Sequence, residues 1–110
     1  AARVKTGSVT FAARDSDVDK QHIKEGQIMG LAEGKIKFLD DSDIVSVAVR
    51  TTLSLFDSDN ALITIIYGSD TTEEQAQQLE DKLKEELGAD VEITTVNGGQ
   101  PIYYFILSVE

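Results

Sequence analysis

Alternating apolar positions predict three strands in the first part of the chain. Val9, Phe11 and Ala13 alternate with small or polar neighbours, which indicates a strand with one buried face. Residues 15–20 are polar and read as a connector, and Gly34 suits the tight turn between the next two strands. The predicted strands are residues 6–14, 27–32 and 35–39.

Residues 40–56 fit a strand and a helix almost equally well. Apolar and β-branched residues alternate from Val45 to Leu55, as they do in a strand. At helical spacing the same segment has a wide apolar side opposite a narrow polar one, which is typical of an amphipathic helix. The polar side consists of Ser46, Arg50 and Ser54, and the candidate N-caps are Asp41 and Ser42. The residues alone leave both interpretations open.

The second half of the chain predicts a strand, a helix and two further strands. Residues 61–67 form an almost unbroken apolar run, which is typical of a strand buried on both faces. Thr71 and Glu74 have the spacing of a capping box, and Gly88 supplies the end of the helix. The following strands are predicted at 90–96 and 102–109. The strand, helix, strand unit should be a right-handed crossover between parallel strands.

Length, composition and charge exclude several classes of function. The chain has 110 residues, of which 41% are hydrophobic, so it fits one globular domain. Its formal net charge is −10 and its cations are scattered, which argues against binding to nucleic acid. It contains no cysteine, and its apolar runs are too short to insert into a bilayer. We therefore expect a cytoplasmic protein without direct membrane insertion.

The candidate catalytic and metal-binding residues do not form a complete site. Asp15, Asp17 and Asp19 have the spacing that begins a calcium loop, but Lys20 and Gly26 occupy positions that need a glycine and a glutamate. The single histidine, His22, has no cysteine or second histidine with which to share a metal. We expect neither catalytic residues nor a metal site, and therefore no enzyme activity from this chain alone.

One loop near the end of the chain is the best candidate for a binding surface. Paired glycines permit unusual backbone angles, whereas the only proline fixes one, so the loop between the last two strands should have a defined shape. Arg14 lies at the end of the first strand, where a guanidinium can bind a carboxylate or phosphate. The candidate partner- or ligand-binding residues are Arg14, Gly98, Gly99, Gln100, Pro101, Tyr103 and Tyr104.

Four stretches of the chain together form a family pattern. They are Gly7-x-Val9-x-Phe11-Ala12-x-Arg14-Asp15-Ser16, Ile23-Lys24-x-Gly26-x-x-Met29-Gly30, Ile65-Ile66-Tyr67-Gly68-x-Asp70-x-Thr72-Glu73-Glu74-x-Ala76 and Asn97-Gly98-Gly99-Gln100-Pro101-x-Tyr103-x-Phe105. The pattern resembles the C-terminal domain of the FakA family of fatty acid kinases, bacterial multidomain relatives of the ATP-binding component of dihydroxyacetone kinase. The resemblance covers nearly the whole chain. It departs from the family at Asp19 and Lys20, where a glycine-containing turn is expected.

The resemblance implies both a fold and a role. The fold would be an α/β two-layer sandwich with two helices and a mixed sheet of about five to six strands, similar to the second domain of the DegV-like family. It favours a helix for residues 42–56. Residues 1–110 would be a single non-catalytic, C-terminal domain of an ATP-dependent fatty acid kinase. The domain would have no cofactor of its own, because ATP and magnesium would bind to a kinase domain outside this chain.

The resemblance also names the partners. The domain would dock a DegV-like fatty-acid-binding protein, which presents the acyl carboxylate for acyl phosphate formation, and it would contact other domains of its own chain. Two alternatives remain open. One is a small-ligand-binding module in which Gly98 and Gly99 line a pocket for a fatty acid or an anionic head group. The other is a structural domain that forms a homodimer.

Overall fold

A mixed six-stranded sheet organises the structure, a computed structural model that describes residues 3–110. In chain order the elements are β1 (Lys5–Phe11), β2 (Ser16–Val18), β3 (Gln21–Ile23), β4 (Ile28–Ala32), β5 (Lys35–Asp40), α1 (Ile44–Leu55), β6 (Leu62–Tyr67), α2 (Glu73–Leu87), β7 (Glu92–Asn97) and β8 (Phe105–Val109). The prediction of an α/β fold with a mixed sheet and two helices is confirmed.

The order of strands in the large sheet is β5-β4-β1-β8-β6-β7, and β2 and β3 form a separate small sheet. β6 and β7 are parallel, as the strand, helix, strand pattern predicted, whereas the other neighbours are antiparallel. The last strand, β8, therefore lies between the first strand and β6. The two halves of the chain are joined into one sheet by this pairing.

Both helices pack on one face of the sheet, which we call the helix face. α1 contacts β1, β4 and β5, α2 contacts β6 and β7, and the two helices contact each other. A single core lies between the helices and the sheet. Its fully buried side chains include Val9, Val47, Ile63, Ile65, Leu79, Leu83, Phe105, Leu107 and Val109.

Two strand glycines make room for α1, despite the alternation of β-branched residues in its sequence. A Cβ atom at Gly7 would lie 2.9 Å from Leu55 Cδ1, and one at Gly30 would lie 2.8 Å from Val47 Cγ1. The buried Thr51 Oγ1 donates a hydrogen bond to the Val47 carbonyl at 2.7 Å, so its polar atom is satisfied inside the helix. The helix that the resemblance implied is confirmed. Its N-cap is Asp43, whose side chain accepts from the Ser46 N–H, so the prediction of Asp41 or Ser42 was wrong.

The N-cap of α2 lies one residue beyond the predicted position. Thr72 and Gln75 form the capping box, with hydrogen bonds of 3.1 and 2.9 Å, and not Thr71 and Glu74. Thr71 is buried and binds elsewhere, which removes it from the cap. Gly88 ends the helix with φ of 85°, as predicted.

The predicted connector at 15–20 is partly a β-hairpin, formed by β2 and β3. Asp19 and Lys20 take φ of 49° and 68°, which is the pair of positive values that a two-residue hairpin turn requires. Aspartate tolerates this conformation better than most residues, but lysine gives no such signal. The hairpin was therefore missed, and its turn occupies the positions where the family pattern is broken.

Strands β1 and β8 are shorter than predicted, and β6 is less buried. Ala13 is exposed beyond the end of β1, and residues 102–104 are outside β8 because a loop holds them. On β6, Ile63 and Ile65 are fully buried, but Thr64 and Ile66 are only half-buried. The prediction of burial on both faces was wrong for this strand, since within residues 3–110 the helices pack on the opposite face.

Candidate functional site

The segment between β7 and β8, residues 98–104, is the site with the most unusual geometry, and we call it the glycine–proline loop. It lies at the end of the sheet where β1, β6 and β7 finish and where α2 begins, as the strand registers require. Arg14 follows β1 at the same end. The loop and Arg14 are thus on one side of the molecule, as expected of a shared surface.

Hydrogen bonds fix the second half of the loop at several points. The Tyr104 N–H donates to the Val9 carbonyl at 2.8 Å, and the Tyr104 carbonyl accepts from the Gly68 N–H at 3.0 Å and from Thr71 Oγ1 at 2.8 Å. Thr10 Oγ1 donates to the Ile102 carbonyl at 2.8 Å. Strands β1 and β6 and the turn before α2 therefore all hold this part of the backbone.

The first half of the loop is held by Gln100 and by the glycine amides. The N–H groups of Gly98 and Gly99 both donate to the Tyr67 carbonyl, at 2.9 and 3.2 Å. Gln100 Nε2 donates to the Ile66 carbonyl at 3.1 Å, and the Gln100 carbonyl accepts from the Ser69 N–H at 2.9 Å. The side chain of Gln100 is thus a structural brace within the loop, since its amide is bonded to the backbone.

The two glycines of the pair serve different needs. A Cβ atom at Gly98 would collide with the side chains of Gln100 and Ile66, so Gly98 is required for space. Gly99 has open space around its α-carbon but takes φ of 65°, so it is required for its backbone angle. Gly68 has a similar role across the loop, because a Cβ there would meet the carbonyl oxygens of Tyr103 and Gln100.

Ile102 adopts a strained backbone conformation. Its φ is 74°, a value that is a genuine outlier for a β-branched residue. The Tyr103 N–H donates to the Pro101 carbonyl at 2.8 Å, which closes a γ-turn of the rarer form, with a positive central φ. Such a residue costs about 1–3 kcal/mol, and it persists only because its surroundings hold it. The hydrogen bonds to Ile102 and Tyr104 do so here.

The strained turn presents apolar side chains to solvent. Ile102 is 58% exposed and Tyr103 is 41% exposed, and the adjacent Pro101 is exposed as well. Tyr103 also lines one side of an open groove of about 300 Å³, together with Ser8, Leu31 and Ile106. Tyr104 is half-buried and packs edge-on against Phe11, with ring centroids 6.2 Å apart. Of the two tyrosines, Tyr103 is the one available to a partner.

Arg14 is exposed and belongs to none of the ion pairs among residues 3–110. The carboxylates near it have other partners: Asp15 accepts from the Glu25 N–H at 2.8 Å, and Asp17 lies 3.0 Å from His22 Nδ1. The guanidinium is therefore accessible. Within the described part of the chain, no three histidine or acidic side chains converge to hold a metal ion.

The perturbed carboxyl groups have structural causes. Backbone N–H groups of Asp43 and Ser42 lower the pKa of Asp40. The Lys5 ammonium lowers the pKa of Asp57, and the Thr95 hydroxyl followed by Lys84 lowers that of Glu80. These groups stabilise a helix start, a turn and the packing of α2 on β7, so none of them identifies a reaction centre.

Several residues of the site were not identified from the sequence. Ile102 was assigned to the final strand, and Thr10, Gly68 and Thr71 were given no part in the loop. Their roles come from contacts across 31 to 92 positions of the chain, as in the bond from Thr10 to Ile102. Adjacent residues carry no signal of such contacts. The closely spaced glycines at 68, 98 and 99 were the one available hint.

No helix among residues 3–110 has the length and the apolar composition needed to cross a bilayer.

Comparison with known proteins gives a consistent result over the whole chain. The family of FakA-like C-terminal domains, which are domains of fatty acid kinase, matches residues 1–110. An uncharacterized protein of Staphylococcus haemolyticus is 42% identical over 107 residues, which are 97% of this chain and 19% of the relative. Protein YloV of Bacillus subtilis is 37% identical over 98% of this chain, again 19% of the relative. The chain thus spans about a fifth of the length of these relatives.

Proposed function

Because the chain belongs to the family of FakA-like C-terminal domains, we propose that it is the docking domain of a bacterial fatty acid kinase. In this proposal the glycine–proline loop and Arg14 contact a DegV-like fatty-acid-binding protein. ATP and magnesium bind in a kinase domain outside this chain, and the complex works in the cytoplasm. The contribution of the domain is to bring the acyl carboxylate to the nucleotide, so its chemistry is positioning.

The strained Ile102 is the observation that carries the proposal. A surface loop with no binding role gains nothing from a β-branched residue at φ of 74°, since glycine or asparagine would take that angle more easily. The strain instead projects an apolar side chain, 58% exposed, from a backbone that is fixed on several sides. A rigid apolar anchor loses little entropy on binding, which is how the central residues of interfaces provide affinity.

The geometry does not favour the alternative of an anionic head group bound by the glycine pair. The N–H groups of Gly98 and Gly99 are the donors that such a group would use, and both already donate to the Tyr67 carbonyl. Gln100 Nε2 is bonded as well. What the loop offers outward is apolar surface from Ile102 and Tyr103 and, beside it, the cation of Arg14.

The test replaces Ile102 by asparagine in the full-length kinase. Asparagine accepts the positive φ with less strain, so Ile102→Asn should not lower the melting temperature. Because the apolar anchor is lost, affinity for the purified fatty-acid-binding protein should fall about tenfold or more, as measured by calorimetry. Affinity for ATP should stay unchanged. An unchanged affinity for the partner would contradict the proposal.

A matched control lies at the other end of β1. Val4 is an aliphatic residue that is 45% exposed, and Val4→Asn should leave partner affinity within about twofold. Deleting residues 1–110 from the full-length kinase should abolish partner binding while ATP binding persists. If the deletion leaves partner binding intact, the docking role belongs to another part of the kinase.

A further inference from the structure

An aliphatic row crosses the face of the sheet opposite the helices, which we call the open face. The pairing registers place six residues side by side, one from each strand: Val96, Ile66, Ile106, Ser8, Leu31 and Ile36. Their neighbours along the strands, such as Ile65 and Leu107, are fully buried under the helices, so the row points the other way. Apart from Ser8, every member of this row is aliphatic.

The next row on the open face carries hydroxyl groups and also has no charge. It runs through Thr94, Thr64, Ser108 and Thr6. Two adjacent rows without a charged side chain are unusual in a chain with a net charge of −10. A sheet face that is permanently in water normally alternates with charged and polar residues, whereas a dry aliphatic row is typical of a covered face.

The size of the face decides between two kinds of cover. Six strands about 4.8 Å apart, each with about six residues at about 3.3 Å, present about 600 Å². Counted on both partners, about 1,200 Å² is the lower limit for a stable complex of separate chains, but it is well within the range for domains joined in one chain. A tethered cover also avoids most of the entropy lost in association.

Charge argues against a second copy as the cover. Two stacked copies would each bring ten net negative charges to the complex, and the uncharged rows offer nothing to offset the repulsion. The matching family is described as C-terminal, and the relatives extend well beyond the matched part. We propose that a segment preceding this domain in the full-length chain packs on the open face, with the aliphatic row as its seat.

The experiment compares cysteine labelling at two positions in the full-length protein. Residues 1–110 contain no cysteine, so a single probe can be placed at Val96→Cys in the row, which is 45% exposed without its cover, or at Gln78→Cys on the exposed side of α2. Peptide mapping by mass spectrometry separates each probe from cysteines elsewhere in the full-length chain. We expect Val96→Cys to react with maleimide at least about tenfold more slowly than Gln78→Cys, because the cover protects it.

Two further measurements keep the outcome decisive. Protection that is unchanged on hundredfold dilution supports a cover from the same chain, whereas protection that is lost on dilution indicates a second copy and overturns the proposal. Adding Leu31→Lys should restore labelling at Val96→Cys, because a lysine in the row cannot be buried under the segment without cost. Labelling rates within about twofold of each other in the parent protein also overturn the proposal. Partner affinity is not read in this experiment, so its failure leaves the docking role untouched.

Discussion

The two faces of the large sheet are made by the same strands and yet have different surroundings. On β8, Phe105, Leu107 and Val109 point to the helix face and are fully buried, while Ile106 and Ser108, between them, remain half-buried on the open face. The strand alternates in the same way throughout. The comparison teaches that alternation separates two sides of a strand but does not say what covers each side.

Charge follows the same division. The exposed side of α2 is strongly acidic, with only Lys82 and Lys84 among its many carboxylates. The aliphatic and hydroxyl rows of the open face have no charged member. The helices therefore present a surface that water can solvate, and the open face presents one suited to protein contact.

The largest expected effect comes from truncating adjacent residues on β8. Leu107→Ala should lower the free energy of unfolding by about 3 kcal/mol, since it leaves a cavity in a closed core. Ile106→Ala should cost only about 1 kcal/mol in the same 110-residue chain, because its side chain is already half in water. Urea denaturation with equal m-values provides the measurement.

Equal losses for Leu107→Ala and Ile106→Ala would mean that the open face is as tightly closed as the helix face. That result would contradict the description of the sheet as covered on one side within residues 3–110.

An intermediate effect is expected from enlarging one residue on each face. Gly30→Ala places a methyl group 2.8 Å from Val47 Cγ1, so α1 must shift, and we expect a loss of about 2 kcal/mol. Ser8→Ala, on the open face of the adjacent strand, should change the free energy of unfolding by less than about 0.5 kcal/mol. Thermal unfolding of both variants is sufficient. A tolerated Gly30→Ala would show that α1 packs less closely than described.

The smallest effect concerns Glu80, which joins α2 to β7 through Thr95 Oγ1 at 2.7 Å and to Lys84 at 2.9 Å. These contacts lower its pKa in the folded state, so they add stability above the ordinary glutamate pKa of about 4.3 and lose it as the pH falls through the lowered value. Glu80→Gln keeps an acceptor for Thr95 but no charge.

We expect Glu80→Gln to be less stable than the parent at about pH 7 by under 1 kcal/mol, because the ion pair is partly exposed. The difference should vanish by about pH 3, where the carboxyl of the parent gains its proton. Urea denaturation at both pH values measures it. A difference that does not change with pH would assign the effect to packing alone.

Local patterns were sufficient for the elements whose neighbours supply nothing unusual. The hairpin of β4 and β5, the run of β6 and the helix α2 follow from alternation, from an apolar run and from a capped amphipathic segment. The parallel pairing of β6 and β7 follows from the helix between them. The errors at the two N-caps are of one or two residues, since several adjacent threonines, serines and aspartates can each accept a backbone N–H.

Other features required contacts between distant parts of the chain. α1 alternates like a strand, and only the space left by Gly7 and Gly30 makes a helix the better packed answer. The turn of the β2–β3 hairpin uses a lysine at positive φ, which local preference would not select. In the candidate site, Ile102 was assigned to a strand, because nothing beside it indicates the bonds that hold it in a γ-turn.

The sequence by itself determined the α/β class, the strand, helix, strand unit and the position of the loop that contains the glycine pair and the proline. These depend on periodicity and on the backbone limits of glycine and proline, which act over a few residues. Tertiary structure alone decided which face of the sheet the helices cover, that α1 is a helix, and that Ile102 and Tyr103 project while Gln100 and Tyr104 are held inward. The physical reason is that burial, close approach and strain arise between residues far apart in the chain, where no local pattern records them.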